Sequence, residues 1–175
     1  MLKKKDFLLI THLRQDGRLT LTDLSRKTKI PVSTIFDRIK KTEQGYVKKT
    51  VAIIDFHKLG FNVTAHIMIK SKNDKEKLED YLMKNINVNT IYKVNNGFDY
   101  IVEAIFTNMS QLEKFLEHIE IKFGLKKLEV HYLLEEIKKE EFLNNPKTLH
   151  LLVESNMVEH TSTKEEKTLN SPRQD

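Results

Sequence analysis

The sequence contains no cysteine at all. Disulfides and thiolate metal sites are therefore excluded, and the absence fits a reducing compartment. Glycine is scarce, with 5 in 175 residues, and each falls at an expected joint between elements, so none is left for a phosphate-cradling loop. No apolar run reaches the length of a membrane span. The opening stretch, MLKKKDFLLITHL, is basic then apolar like a secretory signal, but it lacks a small-residue cleavage site and is interrupted by Thr11 and His12. A soluble, cytoplasmic protein with no membrane partner is the expectation. P-loop, dinucleotide-binding, G-x-S-x-G and H-E-x-x-H signatures are all missing. Of the seven histidines, His66, His118 and His131 lie in expected elements without metal-ligand spacing, so neither an enzyme nor a cofactor is expected.

What is present is an uneven distribution of charge. Residues 1–60 carry 14 Lys/Arg against 6 Asp/Glu, a net of +8, whereas the remaining residues carry 16 against 19, a net of −3. Such asymmetry points to one half that faces a polyanion and another with a different task.

Within the basic half, apolar spacing predicts a helix over 4–15 that buries Leu9, Ile10 and Leu13, ended by DGR with Gly17 in the left-handed conformation. Thr20 can cap a second, short helix that buries Leu21 and Leu24 and runs to about Thr28. The KIP turn follows, and Pro31 starts a third helix, VSTIFDRIKK, where Ile35, Ile39 and Thr42 share a face. Ser33, Thr34, Asp37, Arg38 and Lys41 spread over its other faces. Two short helices joined by a tight turn make a helix-turn-helix, whose second helix enters the major groove. Hydroxyls at its front can meet base edges, while Arg38, Lys40 and Lys41 lie where cations meet phosphates. Phe36 has two readings, packing beneath the first helix or touching a thymine methyl, with packing preferred. Beyond Gly45, YVKKTVAIIDFHKLG holds two β-prone runs that fit a hairpin wing, with Lys48 and Lys49 at its edge near phosphates.

From Phe61 the period changes. NVTAHIMIK alternates, with Val63, Ala65, Ile67 and Ile69 on one face; a helix follows with Leu78, Tyr81, Leu82 and Ile86 inward. Two strand-like runs joined by Asn95, Asn96 and Gly97 read as a hairpin. A second helix buries Leu112, Phe115, Leu116 and Ile119, Gly124 breaks it, and a last strand alternates through Leu128, Val130, Tyr132 and Leu134. The order β-α-β-β-α-β is ferredoxin-like. Its sheet has helices on one face only, which argues for a homodimer through the other face or the edges, around residues 62–70 and 98–106.

Asp6 before an apolar helix, DGR, DLS, VSTIFDRIK, the Leu59–Gly60 hinge and FDYIVE together resemble the Lrp/AsnC ("feast/famine") transcription regulators over roughly residues 2–140. IPVST, with Pro31 where many members have a capping Ser, resembles an archaeal-type variant. The resemblance implies an α+β protein: a winged helix-turn-helix DNA-binding domain with hinge strand at 1–60, then a ferredoxin-like (RAM-type) regulatory domain at 61–140. It also implies binding to double-stranded DNA, dimers that often assemble to octamers, and amino-acid effectors at subunit interfaces. Members that bind an amino acid tend to carry Gly-x-x-Asp in the hairpin and Ser/Thr near the last strand. Here Asn96, Gly97 and Asp99 occupy the hairpin and are the candidate effector site, while Leu128 and Val130 stand where Thr is frequent. An architectural DNA-binding protein is the alternative function. A sirohaem-decarboxylase-like enzyme on the same fold is a weaker one, since YKVNNGFDY lacks a His/Arg cluster. The chain beyond the likeness offers an amphipathic helix at 141–160, with Asn145 as cap and Leu149, Leu152, Val153 and Met157 inward, and then a polar segment at 161–175 expected to be disordered.

Overall fold

A computed structural model describes residues 2–152, apart from the side chains of Glu43 and Gln44. The described chain divides into two compact units, one built from residues 2–52 together with 138–152, the other from 53–137.

The first unit holds three helices, α1 (Lys4–Gln15), α2 (Leu21–Thr28) and α3 (Val32–Gly45). The first two begin where a side chain satisfies a free backbone donor, and α3 begins after Pro31, whose fixed φ suits a helix start. At α1, the Asp6 carboxylate reaches back to accept from the Lys3 amide at 2.7 Å. At α2, the Thr20 hydroxyl accepts from the Asp23 amide at 3.1 Å. Leu9, Leu24, Ile30 and Ile35 form the core, with Leu13, Leu19, Leu21 and Ile39 packed around it. The turn between α2 and α3 is pinned by Ser25 Oγ donating to the Ile30 carbonyl at 2.6 Å. Lys29 closes α2 in the left-handed conformation, φ 59°. A side chain there costs strain that glycine avoids, so Lys29→Gly should raise the stability of this unit by about 0.5–1 kcal/mol in denaturant unfolding.

Two expectations fail here. Gly17 does not adopt a left-handed backbone; α1 ends on an extended Asp16 instead. The small residue serves a close approach, because a Cβ at position 17 would lie 3.0 Å from Cγ2 of Thr50. The two β-prone runs after Gly45 also do not pair with each other. Residues 47–55 run without strand pairing, leaving Val51 and Ile53 exposed at 64% and 63%. Between Tyr46 and Ile54 there is no Gly, Asn or Asp to make a tight turn, so the stretch stays in one piece.

In the second unit a one-turn 3₁₀ segment, His57–Leu59, ends on Gly60 at φ 87° and leads into β1 (Val63–Ser71). Then follow α4 (Lys75–Lys84), β2 (Val88–Lys93), β3 (Tyr100–Phe106), α5 (Met109–Phe123) and β4 (Leu125–Tyr132). The four strands form an antiparallel sheet in the order β2-β3-β1-β4, which is the ferredoxin-like arrangement. Ala65, Ile67 and Ile69 alternate onto the face that packs with Leu78, Leu82, Val102, Leu112 and Ile119. Leu128 and Val130 pack against the same core, opposite Ile69 and Ile67. Their apolar character is thus explained by burial on the helix side. Ile86 is 98% exposed, because α4 stops at Lys84 and the chain must turn there to enter β2; Leu134, also 98% exposed, lies past the end of β4.

The opposite face of the sheet carries no helix among the described residues. Strand register aligns Tyr92, Ile101, Met68 and Glu129 in one row, and Thr90, Glu103, His66 and His131 in the next. His66 and Glu103 are in contact at 3.4 Å.

After residue 138 the chain belongs again with the three helices. Arg14 of α1 donates to the Glu140 carbonyl at 3.1 Å and to its carboxylate at 2.9 Å, and Leu149 is buried at the start of a helical stretch, 149–152. Val153, Met157 and the segment 161–175 lie outside the described residues.

Candidate nucleic-acid interface and hairpin site

The inward face of α3 is built as its sequence spacing requires. Ile35 is fully buried, Ile39 half-buried, and Thr42 turns its hydroxyl to the Arg38 carbonyl at 2.7 Å. The outward face holds Val32, Ser33, Phe36, Asp37, Lys40 and Lys41, all exposed, with Thr34 half-buried. Lys48 and Lys49 are exposed on the extended stretch that follows. Phe36 is 54% exposed, so the preferred reading that it packs beneath α1 does not hold: α3 turns Ile35 and Ile39 inward, and position 36 is rotated away from them.

Arg38 is the residue sequence reasoning misjudged. Its Nη1 donates to Asp6 Oδ1 at 2.6 Å, with the two side chains only 25% and 12% exposed. One carboxylate therefore closes the start of α1 and holds α3 against it. Burial pushes the Asp6 carboxyl up, but the Lys3 amide and the Arg38 guanidinium outweigh it and hold it below its ordinary value. An acid three residues after a basic start was visible in the sequence; its partner 32 positions away was not.

At the hairpin, Asn96 and Gly97 both take positive φ, 62° and 101°, as an Asn-Gly turn allows. Asp99 is turned inward. Its carboxylate is 9% exposed and accepts from the Ser71 amide at 3.0 Å, Lys70 at 3.2 Å and Lys75 at 2.7 Å. Burial raises the Asp99 carboxyl, and the two lysines and the amide bring it below the ordinary range. Next to it the Tyr100 hydroxyl donates to Glu79 at 2.8 Å, and burial with that neighbouring carboxylate pushes its pKa up to about 12. Lys70, Ser71, Lys75 and Glu79 were missed by sequence reasoning, because only the pairing of β1 with β3 brings Lys70 and Ser71 to the hairpin, and only the packing of α4 brings Lys75 and Glu79 there.

Among the described residues no group of three His, Asp or Glu side chains is placed to hold a metal, and no helix is long and apolar enough to cross a membrane.

Two family models match the chain. Residues 2–48 match a winged helix-turn-helix DNA-binding domain, and residues 63–142 match the Lrp/AsnC ligand-binding domain. The chain belongs to the Lrp/AsnC family. It is a DNA-binding transcription regulator with a ligand-binding domain, and its family consists of regulators rather than enzymes. Among Lrp/AsnC relatives, an uncharacterised HTH-type transcriptional regulator of Pyrococcus furiosus is 31% identical over 143 residues, covering 81% of this chain and 96% of its own. The HTH-type transcriptional regulator FL11 of Pyrococcus horikoshii is 34% identical over 116 residues, 65% of this chain and 77% of its own. In fold, Bacillus subtilis LrpC superposes with TM-score 0.73 at 23% identity, covering 79% of this chain and 99% of that one. A transcriptional regulator of Neisseria meningitidis in complex with L-Met gives 0.72 at 24%, covering 79% and 94%.

Proposed function

We propose that this regulator binds double-stranded DNA with the outward face of α3 in the major groove. Ser33, Thr34, Asp37 and Lys41 face the duplex there, while Lys40, Lys48 and Lys49 meet phosphates. The observation that carries this reading is the exposed mixture of hydroxyls, one acid and lysines on α3, in a segment of net charge +8 over 60 residues. Arg38 acts through Asp6 as a positioning residue rather than a base contact. Two copies associate through the helix-free face of the sheet, which places two heads on a two-fold operator with half-sites about one helical turn or a multiple apart. The exposed apolar side chains of residues 47–55 support pairing with a second copy. A small-molecule effector docks near Asn96 and Gly97, with Asp99 organising the turn from below. The L-Met complex of the Neisseria protein, which shares this fold, supports an amino acid as that effector. A cytoplasmic location fits a DNA partner.

Salt dependence tests the phosphate contacts. With Lys48→Gln and Lys49→Gln, affinity should fall for all duplexes alike, and the slope of log affinity against log salt should flatten by about one unit per lost contact. An unchanged slope would remove both lysines from the interface. Genome-wide occupancy separates a few sharp operators, the expected result, from the broad coverage of an architectural protein.

A further inference from the structure

The apolar residues of α3's outward face are not among the side chains that build the core of the head. Val32 and Phe36, four residues apart and so on one stripe, are 42% and 54% exposed, and Lys40 continues the same stripe. The ring contacts among the described residues all lie elsewhere, so no aromatic partner holds Phe36. Beside it, Asp37 is exposed and has no ion-pair partner among the described residues. A carboxylate cannot lie against phosphates. On the floor of the groove it is matched instead by the amino group of a cytosine, and apolar side chains there meet thymine methyls. Asp37 therefore orients this part of α3 toward base edges, and Phe36 is carried with it.

We propose that Phe36 is a specificity-determining residue whose ring contacts the C5 methyl of a thymine in each half-site. The inference rests on the DNA-binding reading above, with α3 as the helix in the groove. It adds a sequence preference that charge and hydroxyls do not supply.

The test starts from duplexes that the full-length protein selects from a random pool. Each thymine in the selected sequence is then replaced singly by deoxyuridine, which removes only the methyl group. Affinities are measured for the native protein and for Phe36→Ala. At one thymine per half-site, loss of the methyl should weaken the native protein about fourfold, the worth of one buried methyl group. The same replacement should cost Phe36→Ala nothing. Phe36 is exposed, so its truncation leaves the core intact, and the deoxyuridine series on the native protein stands without any variant.

If no thymine methyl is coupled to Phe36, the proposal falls. It falls equally if Phe36→Ala weakens every duplex alike, or leaves DNA affinity untouched while abolishing association with another protein. Selection of no preferred sequence by a protein that still binds DNA overturns the role of Phe36 and leaves the DNA-binding reading standing. Absence of any DNA binding overturns that reading itself.

Discussion

Replacing Asp6 by alanine should destabilise the head by about 3 kcal/mol, since it strips a largely buried guanidinium of its counter-charge and leaves the Lys3 amide without an acceptor. For a unit of this size that is a fall in melting temperature of roughly 15 °C. Native-state hydrogen exchange reads the effect directly, because the amides of α1 and α3 should lose protection while those of the sheet keep theirs. Arg38→Met should cost a similar amount by burying an unpaired carboxylate. The double variant should lose less than the two single losses added, with a coupling of about 2 kcal/mol. The folded carboxyl is depressed below its ordinary 3.8, so its contribution is complete above that pH and is lost as the pH falls through the lower folded value. The gap between native and Asp6→Ala proteins should accordingly close in acid. Arg38→Met, at a temperature where the head is folded, should lower DNA affinity without changing the salt slope. A slope reduced by one unit would mean instead that Arg38 leaves Asp6 to meet a phosphate.

At the hairpin, Asp99→Ala should cost the second unit about 2 kcal/mol. The Ser71 amide loses its acceptor, and two lysines lose the charge that gathers them. The figure stays below that for Asp6 because Lys75 is 55% and Lys70 30% exposed, so water recovers part of their solvation. Asp99→Asn keeps an acceptor for Ser71 and should recover about half of the loss. The folded carboxyl again lies below 3.8, so the stability it confers is present above that pH and disappears as acid titrates the folded group. Acid unfolding of the alanine and asparagine variants should therefore begin from a flatter baseline than that of the native protein. The same pair of variants bears on control. An effector held by Asn96 and Gly97 should raise the melting temperature of the native protein and of Asp99→Asn, and shift Asp99→Ala less, because the turn is no longer held in place. Equal shifts in all three would detach Asp99 from the effector site.

How far the residues announced these sites depends on the range of the interaction concerned. The helices of the head are local matters: Thr20 as a cap, Pro31 before α3 and apolar spacing at Leu9, Leu24 and Ile35 are all signals within a few positions. The alternation of β1 and the Asn96–Gly97 turn are local too, and both are found as expected. Misreadings arose where the deciding partner is distant in sequence. Arg38 read as a free cation because Asp6 lies 32 residues away, and Asp99, read as a candidate effector residue, gave no sign of Lys70 and Ser71, which reach it only through sheet pairing. Leu128 and Val130 were visible only as apolar residues where Thr is frequent, because the side of the sheet they face is set by register with β1. The expected hairpin failed for another reason: β-branched residues satisfy a strand propensity anywhere, but a hairpin also needs a tight turn, and residues 46–54 have no Gly, Asn or Asp to make one.

The Arg14–Glu140 contact joins segments on either side of the second unit, the whole of which is made in between. Ribosomes deliver residues at roughly 5–20 per second, so the three helices emerge and wait on the order of ten seconds for the segment that contacts α1. During that interval α3 is already made in a head that still lacks the segment around Glu140. Any product of translation halted between 53 and 137 would display α3 on such an unfinished head. Synthesis of the segment around Glu140 is thus the step that completes the head, although its three helices were the first to be made.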